Sequence, residues 1–127
     1  MAVKYKVVSK RPGGLTGEIA PKYYPVITDR KTMSEREFSE LIAQRAGVHM
    51  GTVLAVAESL FRTIPELLMS GYSVKFNDLG TFSLHASAEG KDTMKEVSAH
   101  DISKVKIAFL PSKEIKHRIA QTKFEKK

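Results

Sequence analysis

Gly71-Tyr72-Ser73-Val74-Lys75-Phe76-Asn77-Asp78-Leu79-Gly80-Thr81-Phe82 is the stretch that decides the fold. Tyr72 to Phe76 alternates apolar and polar side chains as a half-buried strand does, and Thr81 to His85 has the same period. Between them, Asn77-Asp78-Leu79-Gly80 supplies the residues of a tight turn, so the stretch predicts a β-hairpin. Gly71 stands directly after a long helical pattern, at the position where a helix is ended by a left-handed residue.

Upstream of the hairpin, Val53, Val56, Ala57, Leu60, Phe61, Ile64, Leu67 and Leu68 recur at helical spacing and form a broad apolar stripe. Pro65 falls inside this helix and predicts a kink, because it removes a backbone donor and crowds the preceding turn. A shorter helix is predicted from Ser34 to Arg45, opened by the capping-box spacing of Ser34 and Glu37 and ended at Gly47. The second helix restarts near His49 to Thr52. One short helix does not cover the long stripe, which predicts a second copy of the chain against it.

Downstream, residues 86–103 are polar and weakly patterned, compatible with an arm, a long loop or a short helix. Val105, Ile107 and Phe109 alternate with Lys104, Lys106 and Ala108 as a strand. Pro111 then fits the opening of a final helix, with Ser112 at or beside its cap and Ile115 and Ile119 packing four residues apart. At the other end, Val3, Tyr5 and Val7 alternate with Lys4 and Lys6. Turn signals follow at Pro12-Gly13-Gly14, Gly17 and Pro21, then a second extended segment around Tyr23 to Thr28. The predicted order of strand–strand, helix–helix, strand–strand–strand, helix is an α+β class.

The segment from Met33 to Phe82 resembles the HU/IHF bacterial histone-like family. The residues that carry the resemblance are Ala46-Gly47-Val48, then Phe61, Ile64 and Leu68, then Gly71-x-x-Val74-x-Phe76-x-x-Leu79-Gly80-x-Phe82. A second block, Phe109-Leu110-Pro111-Ser112-Lys113-x-Ile115-Lys116, is similar to the family's entry into its last helix. With Lys4-Tyr5-Lys6-Val7 and Lys22-Tyr23-Tyr24, the whole chain resembles a variant branch that carries an N-terminal extension. The resemblance implies an HU/IHF-type fold, an intertwined homodimer and binding to DNA. It also sets the expected division: an extension over residues 1–31 and an HU/IHF-like domain over residues 32–127.

Departures from the family's pattern limit what is carried over. Family members bend DNA with an arm rich in Arg and Lys that ends in a Pro wedge. Residues 83–103 hold neither Pro nor Arg, and Lys91 and Lys95 are offset by Glu89, Asp92, Glu96 and Asp101. Intercalation is therefore not expected here, and any bending should be modest. Glu35 also stands where the resemblance favours a basic residue, and Leu110 replaces another.

Charge points the same way as the resemblance, and it is uneven. The formal net charge is +7; residues 1–31 hold seven Lys/Arg against two Asp/Glu, residues 32–111 eight against ten, and residues 112–127 six against two. Both ends attract polyanions. The candidate phosphate contacts are Ser112, Lys113, Lys116 and Arg118 at the final helix, where a helix start adds backbone donors to basic side chains. Lys75, Lys104 and Lys106 are candidates on the strands, and Lys4, Lys6, Lys10 and Arg11 in the extension. Each set has a plainer reading as solvated surface. Tyr5, Tyr23 and Tyr24 are read as packing residues of strands, with base stacking the alternative.

Enzymatic chemistry finds no support. Cysteine is absent, and His49, His85, His100 and His117 show no close metal-ligand spacing. Gly13-Gly14-Leu15-Thr16-Gly17 lacks the spacing and the Lys-Ser/Thr ending of a phosphate loop. No cofactor, membrane or small-molecule substrate is expected. The longest stretch free of charge, Ala46 to Ala57, is far short of a membrane span, and the start of the chain has no secretory pattern, so a cytoplasmic, nucleoid-associated protein is expected. Two other readings stand beside DNA binding through backbone and shape. One is a dimeric structural or protein-interaction module on the same scaffold. The other takes Phe38 to Leu60 as a helix-turn-helix, though its second helix offers few base-reading side chains.

Overall fold

A computed structural model of the chain describes residues 2–11 and 20–127. The predicted turn at Pro12-Gly13-Gly14 and Gly17 lies outside them. The order is β1 (Val3–Lys10), β2 (Lys22–Ile27), α1 (Glu35–Ala46), α2 (Met50–Met69), β3 (Val74–Phe76), β4 (Gly80–Ala88), β5 (Ile102–Pro111), α3 (Lys113–Ile119) and β6 (Phe124–Lys126). It is a mixed α+β arrangement with two three-stranded sheets, ordered β2-β1-β6 and β3-β4-β5. The chain divides into two units: Met1–Ser34 with Arg118–Lys127, called the terminal unit, and Glu35–His117, called the histone-like unit because most of the residues that carry the resemblance lie in it.

In the histone-like unit, local chemistry sets the helix ends. Gly47 takes a left-handed φ of 68°, and its N–H and that of Val48 both reach the carbonyl of Ala43. His49 then caps α2: its Nδ1 accepts from the N–H of Gly51 at 3.0 Å. This histidine thus closes a helix start, the role more often taken by Ser or Asp. The helix runs through Pro65 to Met69 without interruption. It stops where Gly71 adopts φ 94°, with Tyr72 donating to the Leu67 carbonyl.

Gly80 is the tightest point of the hairpin that follows. It is buried with φ 150°, and an added Cβ would collide with the Leu110 carbonyl oxygen and sit 2.8 Å from the Phe109 ring. Only glycine fits, which accounts for its place in the deciding stretch. Phe82 packs beside it, edge-on to Phe76 at 6.3 Å and tilted against Phe109 at 4.9 Å.

One expectation needs correction, one open reading is resolved, and one segment was missed. Pro111 ends β5, paired with Gly80, and does not open the helix. Ser112 alone is the cap: its Oγ accepts from Ile115 N–H at 3.1 Å and donates to the Asp78 carbonyl at 2.7 Å. Residues 86–103 resolve into strand and tip. β4 and β5 pair as far as Ala88 and Ile102, and two short 3₁₀ turns, Met94–Glu96 and Ala99–Asp101, close the hairpin. The missed element is β6. It pairs in parallel with β1, with Phe124 opposite Val3 and Lys126 opposite Tyr5, and so completes the terminal unit's sheet.

Candidate functional site

Strand register decides which lysines act together. In the histone-like unit, Lys75 pairs with Thr81, Thr81 with Leu110, His85 with Lys106, and Ser87 with Lys104. Paired residues share a face and alternate residues along a strand return to it. Lys75, Lys104 and Lys106 therefore lie on one side of the sheet, with Thr81, Ser83, His85 and Ser87 among them. The opposite side holds Val74, Phe76, Phe82, Leu84, Val105, Ile107 and Phe109. β3, β4 and β5 contain no Asp or Glu, so the basic side has no carboxylate on its strands.

From the sequence His85 was weighed only as a metal ligand and not as part of a basic surface. Its signal is parity: it stands two residues from Ser83 and Ser87 and directly across from Lys106, which only the register reveals. Elsewhere in this unit three cations have acidic partners. Arg62 meets Glu58 at 2.8 Å, Arg36 lies 3.8 Å from Glu40, and Lys91 lies 3.4 Å from Asp101 at the hairpin tip.

Helix α3 changes the expectation for its own start. The N–H groups of Ile115 and Lys116 are taken by the hydroxyl and carbonyl of Ser112, so they are not offered to an anion. Ser112 acts by positioning the helix. Lys113 and Lys116 share a side of α3 at i, i+3, both exposed. Arg118 is two residues further on, about 200° round the helix, and shares no face with Lys116.

The terminal unit is two-sided in the same way. β1 and β2 pair so that Lys6 faces Val26, Val8 faces Tyr24 and Lys10 faces Lys22; with Lys4, four lysines occupy one side, and Glu125 stands opposite Lys4. Arg11 follows directly, exposed. The other side carries Val3, Tyr5, Val7, Tyr23, Pro25, Ile27 and Phe124, much of it open: Tyr23 is 71% exposed and Phe124 57%. On this side Tyr5 is half-buried, whereas Tyr23 is left largely open.

One ion pair ties that sheet together. Asp29, at a left-handed φ of 57°, accepts from Lys127 Nζ at 3.0 Å. The hydrogen bond from Lys127, helped by the charges of Lys127 and Lys4, holds the Asp29 carboxyl below the usual carboxylate range.

Among the described residues, no helix is long and apolar enough to cross a membrane, and no group of three or more His, Asp or Glu is placed to hold a metal ion.

A family model described as "HU domain fused to wHTH, Ig, or Glycine-rich motif" (HU-HIG) matches residues 1–126. The chain belongs to the HU-HIG family. Its fold is similar to that of a solved structure from Bacteroides vulgatus ATCC 8482, described as a "Putative bacterial DNA binding protein", with a TM-score of 0.67 at 16% identity. The match covers 98% of this chain and 48% of that one, so the chain spans about half the length of that relative. No curated protein matches. HU-HIG membership bears out the histone-like resemblance read from the glycines and aromatics around the hairpin.

Proposed function

We propose that this chain is a non-catalytic, HU-like DNA-binding protein that acts as a homodimer and recognises phosphate backbone and duplex shape more than base sequence. The observation that carries the reading is the side of the β3-β4-β5 sheet that holds Lys75, Lys104 and Lys106 on strands without a carboxylate. Cations on one rigid surface neutralise neighbouring phosphates and release their counterions, and this gives affinity without base information. Lys113 and Lys116 on α3 extend the contact, Ser112 holds that helix in place, and Lys4, Lys6, Lys10, Arg11 and Arg118 add charge from the terminal unit. HU-HIG membership supports this assignment, as does the description of the solved relative. The site of action is the cytoplasm, on the nucleoid.

Uncovered apolar surface supports the dimer. Leu68 is the one buried hydrophobic side chain among the described residues. The chain exposes 11305 Å², whereas two separate compact bodies of the units' sizes would expose about 8,000 Å² together. In the histone-like unit, an open apolar cavity of ≈ 480 Å³ between α1 and α2 and another of ≈ 420 Å³ between α2 and the sheet both reach Leu60 and Phe61. A second copy covers such a surface at the lowest cost in new sequence. Sedimentation equilibrium should find a dimer at micromolar concentration, and a stable monomer would remove this part of the proposal.

One observation favours the second reading, a dimeric scaffold without appreciable DNA binding. The histone-like unit holds ten Lys/Arg against eleven Asp/Glu. Titration of random-sequence duplex DNA at several salt concentrations separates the two. Affinity that falls steeply with salt is expected, and negligible affinity at low salt would leave the scaffold. Bound duplex should show only modest shortening of its end-to-end distance by energy transfer, because the hairpin tip has no Pro wedge and is closed on itself by the Ser98–Asp101 cap and the Lys91–Asp101 pair.

A further inference from the structure

The side of the terminal unit's sheet that carries no lysine on β1 or β2 is unexplained by duplex binding. Tyr5, Tyr23, Pro25, Ile27 and Phe124 border an open cavity of ≈ 680 Å³ there, within the terminal unit. The ring–ring pairs among the described residues are Phe76–Phe82 and Phe82–Phe109, so the aromatic rings on this side stack on no other ring.

Two occupants fit an apolar aromatic sheet face: a second protein surface and the bases of a single-stranded nucleic acid. Charge chooses between them. The terminal unit holds eleven Lys/Arg against three Asp/Glu in its residues 1–34 and 118–127, the reverse of the balance in the histone-like unit. Two such units brought face to face repel each other, whereas a polyanion is drawn to either one. Lys126 stands beside Tyr5 on the aromatic side, and Arg30 and Lys31 follow the end of β2, so cations border the platform. The spacing also serves stacking. Phe124 is the diagonal neighbour of Tyr5, about 7 Å away, and Tyr23, opposite Ser9, lies about 13 Å further along the sheet.

We propose that the Tyr5, Tyr23 and Phe124 side of the terminal unit is a stacking platform for the bases of single-stranded nucleic acid. Its phosphates run along Lys126, Arg30 and Lys31. This site is separate from the duplex-binding sheet, and either can fail without the other. Stacking is indifferent to sequence, because every base has a π-face.

The test uses the full chain, a labelled twelve-nucleotide oligothymidine strand and a random duplex of the same length. Tyr5→Leu, Tyr23→Leu and Phe124→Leu combined keep the apolar surface but remove the aromatic faces. The triple variant should lose about tenfold or more in single-strand affinity, while duplex affinity changes less than twofold. The chain has no tryptophan, so tyrosine emission can be followed on its own; its quenching by the single strand should fall sharply in the variant, which keeps only Tyr24 and Tyr72. If the triple variant fails to fold, Tyr23→Leu alone, at the most exposed ring, should still lose about fivefold. Unchanged single-strand affinity in a folded variant overturns the proposal. So does a change in the sedimentation of the free protein on losing the rings, since that assigns the face to a second copy.

Discussion

The terminal and histone-like units solve the same problem in opposite ways. Each builds a three-stranded sheet with one polar and one apolar side, yet the excess positive charge sits wholly in the smaller, terminal one. In the histone-like unit, Arg36, Arg62 and Lys91 pair with acids on α1, α2 and at the hairpin tip, while Lys75, Lys104 and Lys106 share one sheet side with no carboxylate on its strands. In the terminal unit the charge is general and only Asp29, Glu125 and Glu18 oppose it. Position and quantity of charge are thus separated: one unit supplies a defined basic surface and the other a strong field.

The histone-like side of this contrast depends most on Gly80. Gly80→Ala places a methyl against the Leu110 carbonyl and the Phe109 ring, in a backbone conformation that alanine rarely adopts. A loss of about 2–4 kcal/mol is expected in denaturant unfolding. A near-neutral result would mean that β4 and β5 can part at that point, and that the basic side is less rigid than its register implies.

Lysine replacements compare the two surfaces directly. Each phosphate contact contributes about 0.9 to the slope of log affinity against log salt. Lys75→Gln, Lys104→Gln and Lys106→Gln together should therefore lower the duplex slope by about three per bound protomer, and cost affinity equally across unrelated sequences. The set Lys4→Gln, Lys6→Gln, Lys10→Gln and Lys22→Gln should flatten it as well. If only the second set acts, the histone-like unit is a scaffold and the terminal unit binds DNA alone.

A smaller effect is expected at the cap of α3. Ser112→Ala removes two hydrogen bonds and should cost about 1–2 kcal/mol in thermal or denaturant unfolding. If the helix only presents Lys113 and Lys116, duplex affinity should fall modestly while the salt slope stays the same.

The smallest effect belongs to Asp29. Its carboxyl titrates below the ordinary range when folded, so the stabilisation it supplies is complete above that range and is lost as the pH falls through its lowered value. Asp29→Asn should make the terminal unit's stability flatter between neutral and strongly acidic pH, as followed by circular dichroism. The pair is exposed, so the change should be slight and reduced further by salt.

Local chemistry was legible along the chain. Gly47 and Gly71 end helices because a left-handed residue is needed there, and the alternation in β1, β3 and β5 needs only the two-residue period of a strand. The glycines and aromatics from Gly71 to Phe82 carried the family as well. Phe124-Glu125-Lys126 could not be read as a strand: three residues hold no period, and their partner β1 lies at the far end of the chain. Pro111 was misplaced because a proline suits a helix opening and a strand end alike, and only its pairing with Gly80 decides between them.

What the sequence determined by itself is therefore the set of elements, their caps and turns, the overall positive charge and the broad apolar stripe of α2. Each follows from neighbours within a few residues or from composition. The tertiary structure decided which residues share a surface: Lys75 with Lys104 and Lys106, His85 with Lys106, and Tyr5 with Phe124. Strand register is the physical reason. A slip of one residue sends every side chain of a strand to the other side of its sheet, and pairing partners far apart in the chain choose that register.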